Sequence, residues 1–372
     1  MEARNPERGE EPLNGSKKMK RRAFLQSGVL AAPAAALAAP ALASGVIEWK
    51  CPTAFPAQAP GIGTNATSFV DRVNRMAEGK LKLKLYSGGE LVPPFAVEDA
   101  VQQGTAEIGH TTAYYAAGKN SAHHFFTTIP FGLTAGEVGA WLRFGGGQDL
   151  YDEIYGQRNL VPFMAGNTSV QAAGWFKKEI NSVDDLSGLN MRIAGLGGEA
   201  MRKLGVNAVL LPPTEIFPSF QSGAIDATEW VGPMLDQAFG MNKVANFCYA
   251  PAFSEPGSGL HVLVNRDAWE SLTPDLQEMI RTAASACEIE NINRFEYYNA
   301  MSFKALQEAG VQFMTFPEDV LAALKTASAE VLEEQAAANP DFARCLESYN
   351  AYLEVARPFN AAFMAPSLLQ RV

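Results

Sequence analysis

Short strand-like runs alternate with helical stretches along this chain, and this alternation constrains its fold more than any other feature. Leu81–Tyr86 (LKLKLY) alternates apolar and charged residues, which is the period of a half-buried strand. Before it, Phe69, Val73 and Met76 recur at helical spacing, and Gly79 closes that predicted helix. Elements that alternate in this way predict an α/β class in which helices cover sheets.

The remaining runs follow the same pattern. Strands are predicted at residues 46–51, 171–176, 190–193, 226–230 and 260–265. Helices are predicted at 197–204, from a cap at Thr214 to Phe220, at 273–304 and at 341–362. About 330 residues follow the first forty-odd, and this is more than one hydrophobic core usually supports, so two lobes are expected.

The first 43 residues have the composition of an export signal. The run KRRAFLQ (20–26) fits a twin-arginine signal, and an Ala-rich apolar segment follows at 28–42. That segment is too short to span a bilayer of about 30 Å, and Ala41-Leu42-Ala43 is an A-x-A cleavage signal. We expect a cleaved twin-arginine signal peptide at 1–43 and a periplasmic protein of a Gram-negative bacterium. An uncleaved membrane anchor is the alternative.

The charge balance bears on the class of ligand. Seven of the 30 Lys and Arg and four of the 40 Asp and Glu precede residue 44, so the remainder carries a net charge of −13. Such a surface argues against nucleic-acid binding. It also repels anions, so an anionic ligand needs a local positive group to capture it.

Cysteine and histidine spacing offers no motif for catalysis or for a zinc site. The four cysteines contain no C-x-x-C pair, and buried free thiols are favoured, although an oxidising compartment would permit disulfides. The histidines form no metal-ligand spacing, and neither a G-x-S-x-G elbow nor a Cys-His pairing is present. An enzyme therefore has little support.

A candidate ligand site centres on QSGAIDATEWVGP (221–233). Glu229 follows a short apolar run and stands beside Trp230; because carboxylates are rarely buried without a partner, the pair indicates a pocket wall that holds a cation or a donor. In NMRIAG (190–195), Arg192 alternates with apolar residues, and its planar guanidinium can grip a carboxylate through two N–H groups. A solvated acid and a surface arginine are the simpler alternatives. The glycines that follow lack the Lys-Ser/Thr of a phosphate loop, which argues against nucleotide binding.

The runs NMRIAGLGGEAMRKLG (190–205) and LPPTEIFPSFQSGAIDATEWVGP (211–233) resemble the extracytoplasmic solute-binding proteins of TRAP transporters. The resemblance covers nearly the whole chain after the signal, and it is greatest to the branch that binds small 2-oxo or 2-hydroxy acids with a metal cation. It implies a two-lobed, type II-like periplasmic binding protein fold with mixed sheets, an interlobe cleft and long C-terminal helices. The implied parts are lobe I at 46–168 and 258–297, lobe II at 169–257 and 298–340, and a C-terminal helix at 341–372.

The resemblance also implies a ligand set. Arg192 would grip the substrate carboxylate, while Gln171, Glu229, the Trp230 carbonyl and Glu255 would surround Na⁺ or Ca²⁺, which take oxygen ligands. Sialic-acid-type members carry an Asn where this chain has Trp230, and the bulky indole predicts a small ligand. The other expected substrate-binding residues are Gln171, Asn167, Trp230, Phe253, Tyr114 and Tyr115. Of the two tyrosines only one is expected to reach the cleft, because neighbours on an extended segment face opposite ways.

The expected function is capture of a pyruvate-like 2-oxo monocarboxylate with a metal ion and its delivery to TRAP permease subunits, without chemistry. A lactate-type 2-hydroxy acid or a larger monocarboxylate bound with calcium is the nearest alternative. Outside this class, a periplasmic metal-dependent hydrolase or a ligand sensor stays open.

The last predicted helix carries an apolar stripe that needs a partner surface. Its members recur at steps of three and four: Phe342, Leu346, Tyr349, Leu353, Ala356 and Phe359. Docking on its own lobe is one solution. Members of the resembling branch have a C-terminal helix that packs on a second subunit, so we expect a homodimer, with exchange of this helix as one route.

Overall fold

Three β-sheets organise residues 45–371, which are the residues described by the computed structural model. The expected signal peptide at 1–43 lies outside them. Eleven strands are present in this part of the chain: β1 (Ile47–Pro52), β2 (Leu81–Tyr86), β3 (Ile108–Thr111), β4 (Leu160–Asn167), β5 (Gly174–Phe176), β6 (Asn190–Arg192), β7 (Asn207–Val209), β8 (Ala227–Thr228), β9 (Phe247–Tyr249), β10 (Gly259–Asn265) and β11 (Gln312–Met314).

Twelve α-helices connect and cover these strands, and within the described residues none is long and apolar enough to cross a membrane. They are α1 (Gly63–Met76), α2 (Val97–Gln102), α3 (Ala135–Phe144), α4 (Gly147–Gly156), α5 (Gly195–Lys203), α6 (Pro213–Ser222), α7 (Pro233–Phe239), α8 (Arg266–Glu270), α9 (Pro274–Glu308), α10 (Glu318–Ala338), α11 (Pro340–Phe359) and α12 (Ala365–Leu369).

The sheets differ in size and in strand direction. Strands β1 and β2 form a parallel pair, and β10 lies between β3 and β4 in an antiparallel three-stranded sheet. The third sheet has the order β11-β9-β5-β8-β6-β7 and mixes parallel with antiparallel pairs. The expected α/β class with mixed sheets and long C-terminal helices is confirmed.

Local sequence patterns located most elements, with errors at their ends. Strand β2 matches its prediction at both ends, and the long helix α9 begins one residue later than predicted. The predicted cap at Thr214 is wrong: α6 begins at Pro213, whose fixed φ suits the first helical position. Strand β8 has only two residues of the five predicted.

Helix α11 packs most of its apolar stripe on its own chain. The ring of Phe342 lies 4.7 Å from that of Phe125, and the ring of Tyr349 lies 5.2 Å from Trp141. Phe359, the last member of the stripe, is 54% exposed. Docking on the same chain therefore explains most of this helix but not its end.

All four cysteines of the chain lie within the described residues. Each is a buried free thiol, as the spacing favoured.

Candidate functional site

Arg192 and Glu229 meet because their strands are neighbours. Strands β6 and β8 pair in parallel with Arg192 opposite Thr228, so Glu229 follows β8 at the edge where Arg192 ends β6. Nη1 of Arg192 donates to the carbonyl oxygen of Glu229 at 2.6 Å and to its Oε2 at 2.7 Å. Both side chains are fully buried. The simpler alternatives, a surface arginine and a solvated acid, are therefore wrong.

Trp230 covers this ion pair. The guanidinium of Arg192 lies 5.3 Å from the centre of the Trp230 ring, within the range of a cation–π contact. Asp236 holds the loop in place, because its Oδ1 accepts from the N–H of Val231 at 3.1 Å and its Oδ2 from Nε1 of Trp175 at 2.8 Å. The sequence analysis missed Asp236, although an acid in the first turn of the helix after Gly232-Pro233 was a usable signal.

Gln171 and Glu255 are joined across 84 residues of chain. Nε2 of Gln171 donates to Oε2 of Glu255 at 2.9 Å and to Oγ1 of Thr168 at 2.7 Å. All three residues are buried. Thr168 was also missed, although it lies in the run that supplied Gln171. The structure thus brings the predicted amide and the second predicted acid into direct contact.

Unpaired polar atoms around these residues fit a cation and an anion. Buried polar atoms normally have partners, yet three oxygen acceptors here are buried without one in the described protein: Oε1 of Gln171, Glu229 and Glu255. Three buried donors are also unpaired: Nε and Nη2 of Arg192 and Nε1 of Trp230. The acceptors suit a hard cation, and the donors suit carboxylate oxygens.

The donor set also indicates the kind of ion. Among residues 45–371, no group of three or more His, Cys, Asp and Glu could hold a metal. A site made from Glu229, Glu255 and the amide of Gln171 would offer only oxygen ligands, which suit Na⁺ or Ca²⁺ better than zinc or copper.

The electrostatics point the same way. Burial raises the pKa of Glu229 well above its usual range; the negative charge of Glu255 raises it further, and Arg192 lowers it in part. Burial also raises the pKa of Glu255, against hydrogen bonds from Ser258 and Gln171 and the charge of Arg192. Burial is the largest single effect on the pKa of Arg192 and lowers it, but the neighbouring acidic groups, led by Glu229, together outweigh burial, so the pKa is raised. One guanidinium thus serves two buried acids, and a cation would keep both ionised.

Tyr114 and Tyr115 lie on a 3₁₀ turn, Ala113–Ala116, and not on an extended segment. Their rings stack, with centres 5.2 Å apart and planes at 10°. Both line a narrow cavity of about 20 Å³, as do Gln171 and Trp230. The expectation that only one tyrosine would face the cleft is wrong, because a helical turn places successive residues about 100–120° apart and not on opposite faces.

Asn167 and Phe253 are engaged elsewhere. Oδ1 of Asn167 accepts from the N–H of Ser169 at 2.9 Å, and the Phe253 ring packs on Phe131 with centres 5.8 Å apart. Neither side chain lines the cavity. Their contact with a ligand stays a prediction.

The mixed sheets and the cluster of buried unpaired polar atoms, which includes those of the cavity-lining Gln171 and Trp230, are typical of a binding protein. The match to known proteins makes this specific: residues 55–339 fit the family model DctP, the bacterial extracellular solute-binding proteins of family 7. The chain belongs to this family and is a solute-binding protein of a TRAP transporter. The family consists of transporter binding proteins and not of enzymes.

Several relatives are similar to this chain over almost their full length. The chain is 40% identical to a monocarboxylate 2-oxoacid-binding periplasmic protein of Nostoc sp. over 342 residues, 90% of this chain and 94% of that protein. The chain also resembles a TRAP transporter solute-binding protein from Bordetella bronchiseptica, with a TM-score of 0.86 and 34% identity over 88% of this chain and 97% of that one. The structure of that protein is a mixed-occupancy dimer with copurified calcium and picolinate. One from Pseudoalteromonas atlantica with bound sodium and pyruvate matches with a TM-score of 0.84 and 35% identity over 87% and 98%.

Proposed function

We propose that this protein captures a small 2-oxo monocarboxylate of the pyruvate type together with Na⁺ or Ca²⁺ and delivers it to the TRAP permease. The observation that carries the proposal is the set of buried unpaired atoms, with three donors on Arg192 and Trp230 and three acceptors on Gln171, Glu229 and Glu255. An acid bound with its counter-ion would satisfy both groups at once.

Each residue has a role in this proposal. Nε and Nη2 of Arg192 form a fork of two parallel donors, which matches the two oxygens of a carboxylate. Oε1 of Gln171, Glu229 and Glu255, with the carbonyl of Trp230, would hold the ion. The ion would supply charge neutralisation for the two buried acids and a bridge to the ligand oxygens. Tyr114 and Tyr115, which line the cavity, would help to enclose the ligand.

The ligands of the relatives favour a 2-oxo acid over a simple carboxylate. Pyruvate and picolinate, which occur in the two solved relatives beside sodium and calcium, both carry a heteroatom on the carbon next to the carboxylate. Such a pair of atoms can chelate one ion, which a simple carboxylate cannot do in the same way. A 2-hydroxy acid of the lactate type shares this feature and is the second candidate.

Native mass spectrometry of the purified protein, followed by calorimetry, tests the function. We expect a copurified organic acid and ion, and pyruvate binding that weakens when Na⁺ and Ca²⁺ are removed. Tighter binding of lactate than of pyruvate would favour the second candidate. No binding of either acid, with both ions supplied, would contradict the proposal.

Two further parts of the proposal concern the lobes and export. The two lobes, at 46–168 with 258–297 and at 169–257 with 298–340, would close on the ligand and shift the population towards the closed state.

Residues 1–43 would direct export to the periplasm by the twin-arginine route. Replacing Arg21 and Arg22 with Lys should leave the protein in the cytosol, whereas normal export of that variant would rule the route out.

We also propose a homodimer that uses the end of the chain. Beyond the buried part of α11, the large apolar side chains of Phe359, Phe363 and Leu369 are 54%, 65% and 71% exposed. An exposed apolar helix of this kind is typical of an interaction site. The dimer reported for the Bordetella protein supports a second copy as the partner.

A further inference from the structure

Two segments of the chain connect the three-stranded sheet to the six-stranded sheet. Residues 168–173 lead from β4 to β5, and residues 250–258 lead from β9 to β10. Because β4 pairs with β10 in one sheet and β5 pairs with β9 in the other, the two segments start and end as neighbours. Gln171 lies in the first segment and Glu255 in the second. An ion held by both residues would therefore bind where the chain passes between the sheets.

Thr168 joins the two segments where they meet the three-stranded sheet. Its N–H donates to the carbonyl of Ser258 at 3.0 Å, and its Oγ1 accepts from the N–H of Ser258 at 3.3 Å. Thr168 is 2% exposed and Ser258 is 4% exposed. Because both residues are buried, water does not compete for these bonds, and the bonds hold the two segments together.

The same hydroxyl orients the amide of Gln171. A threonine hydroxyl can donate one hydrogen bond and accept two. Oγ1 of Thr168 donates to the carbonyl of Ser169 at 3.3 Å and accepts from the N–H of Ser258. Its proton is thus in use, so the Gln171 atom that lies 2.7 Å away must be the donor Nε2. The amide therefore turns Nε2 towards Thr168 and Glu255 and leaves Oε1 as the unpaired acceptor.

We propose that Thr168 is a positioning residue for the ion site: its hydroxyl presents Oε1 of Gln171 to the ion and holds the segment of Glu255 beside it. This proposal rests on the proposed function and deepens it, because it assigns part of the ion affinity to a residue that need not itself touch the ion. Hydrogen bonds from outside the ligand set fix the orientation of the ligands and so strengthen ion binding. Without the hydroxyl, the amide would lose one of its two acceptors and the N–H of Ser258 would lose its partner.

Thr168→Val tests the proposal because it keeps the shape of the side chain and removes the hydroxyl. The probe is whichever of Ca²⁺ and Na⁺ strengthens pyruvate binding to the wild-type protein, and calorimetry measures the affinity for that ion alone. We expect the ion to bind about tenfold to a hundredfold more weakly to Thr168→Val, and within about threefold of the wild type to Thr168→Ser, which restores the hydroxyl.

A second measurement separates positioning of the ion ligands from general damage to the cavity. Pyruvate is titrated into Thr168→Val with the ion at saturation. Because the variant should be impaired in ion binding and not in the ion-loaded state, its pyruvate affinity should return to within about threefold of the wild-type value.

The control is Thr53→Val, which makes the same change at another buried threonine. In the described protein, Oγ1 of Thr53 is bonded to Nδ1 of His110 at 3.0 Å and accepts from the N–H of Phe55 at 3.3 Å, and it bonds to none of the proposed ion ligands. Its ion affinity should equal that of the wild type. Thermal unfolding without the ion checks that each variant folds, and Thr168→Ala replaces Thr168→Val should the latter unfold.

The outcomes separate this inference from the proposed function. Unchanged ion affinity in folded Thr168→Val, an equal loss in Thr168→Ser or Thr53→Val, or weak pyruvate binding at saturating ion would overturn the role of Thr168 and leave the proposed function intact. If neither ion strengthens pyruvate binding to the wild type, the ion site and this inference both fail.

Discussion

Nη1 of Arg192 donates to both the carbonyl oxygen and Oε2 of Glu229, at 2.6 and 2.7 Å, in a fully buried environment. This geometry uses one corner of the guanidinium and leaves Nε and Nη2 free. Glu229 therefore orients Arg192, and in the proposed site it also offers an oxygen to the ion. Because both roles depend on the carboxylate of Glu229, binding of the ligand carboxylate by Arg192 and binding of the ion should be coupled.

Arg192→Lys should weaken binding of pyruvate by on the order of 2–5 kcal/mol, because the charge remains but the fork of donors is lost. Calorimetry on the folded variant measures this loss. Arg202→Lys, on the exposed side of α5, is the matched control and should bind as the wild type does. Near-wild-type affinity in Arg192→Lys would show that another group grips the carboxylate.

Glu229→Gln should lower the affinity for the ion and for pyruvate together, since in the proposed site the ion bridges protein and ligand. By linkage, the factor by which the ion raises pyruvate affinity must equal the factor by which pyruvate raises ion affinity. Titrations of each partner with and without the other give both factors. Glu199→Gln, with a half-exposed carboxylate, should change neither. If exhaustive chelation and removal of Na⁺ leave pyruvate affinity unchanged, the ion has no part in binding.

Removal of residues 358–372 should convert the proposed dimer into a monomer, because it deletes the exposed apolar side chains of the tail. The cut must spare the rest of α11, since Tyr349 is buried and its hydroxyl accepts from the N–H of Leu133 at 2.5 Å. Light scattering on both proteins at micromolar concentration measures their mass. A full-length protein that is already a monomer would contradict the dimer.

Stability should fall as the pH rises through neutrality, in part because of Glu98. Burial raises the pKa of Glu98 from 4.5 to about 7, against the positive charge of Arg158. Between these values the folded protein holds a proton that the unfolded chain releases. The contribution of Glu98 to the free energy of unfolding is thus complete below about pH 4.5 and is lost as the pH rises through about 7.

Glu98→Gln isolates this effect because it stays neutral at every pH and keeps an oxygen acceptor for Arg158. Urea unfolding at pH 5 and at pH 8 gives the free energy of unfolding of each protein at both values. From pH 5 to pH 8 the wild type should lose more of it than Glu98→Gln does, by on the order of 2 kcal/mol. Other buried acids, such as Asp236 with a pKa of about 7, titrate in both proteins and cancel in the comparison. An identical loss in the two proteins would show that Glu98 does not titrate in this range.

Local periodicity was enough to predict the α/β class, strand β2 and the long helix α9. Each of these depends on residues close in the chain, where a repeat of two or of about 3.6 reports directly on which side is buried. The two motifs that carry Arg192 and Glu229 could also be recognised in the sequence, because a charged side chain among apolar neighbours is unusual. Where a residue's surroundings are set by distant segments, as for the short strand β8 and the pair Tyr114 and Tyr115, the local pattern was misleading.

The contacts that make a site were decided by the tertiary structure alone. Gln171 meets Glu255 across 84 residues, and Asp236 reaches Trp175 across 61. No local pattern encodes such pairs, because they arise from the order of strands in the six-stranded sheet and from the return of the chain between sheets. The same holds for the lining of the cavity. Phe55, Ile62 and Leu260 read as ordinary core residues in the sequence, and only the fold brings them to the cavity that Trp230 and Gln171 also line.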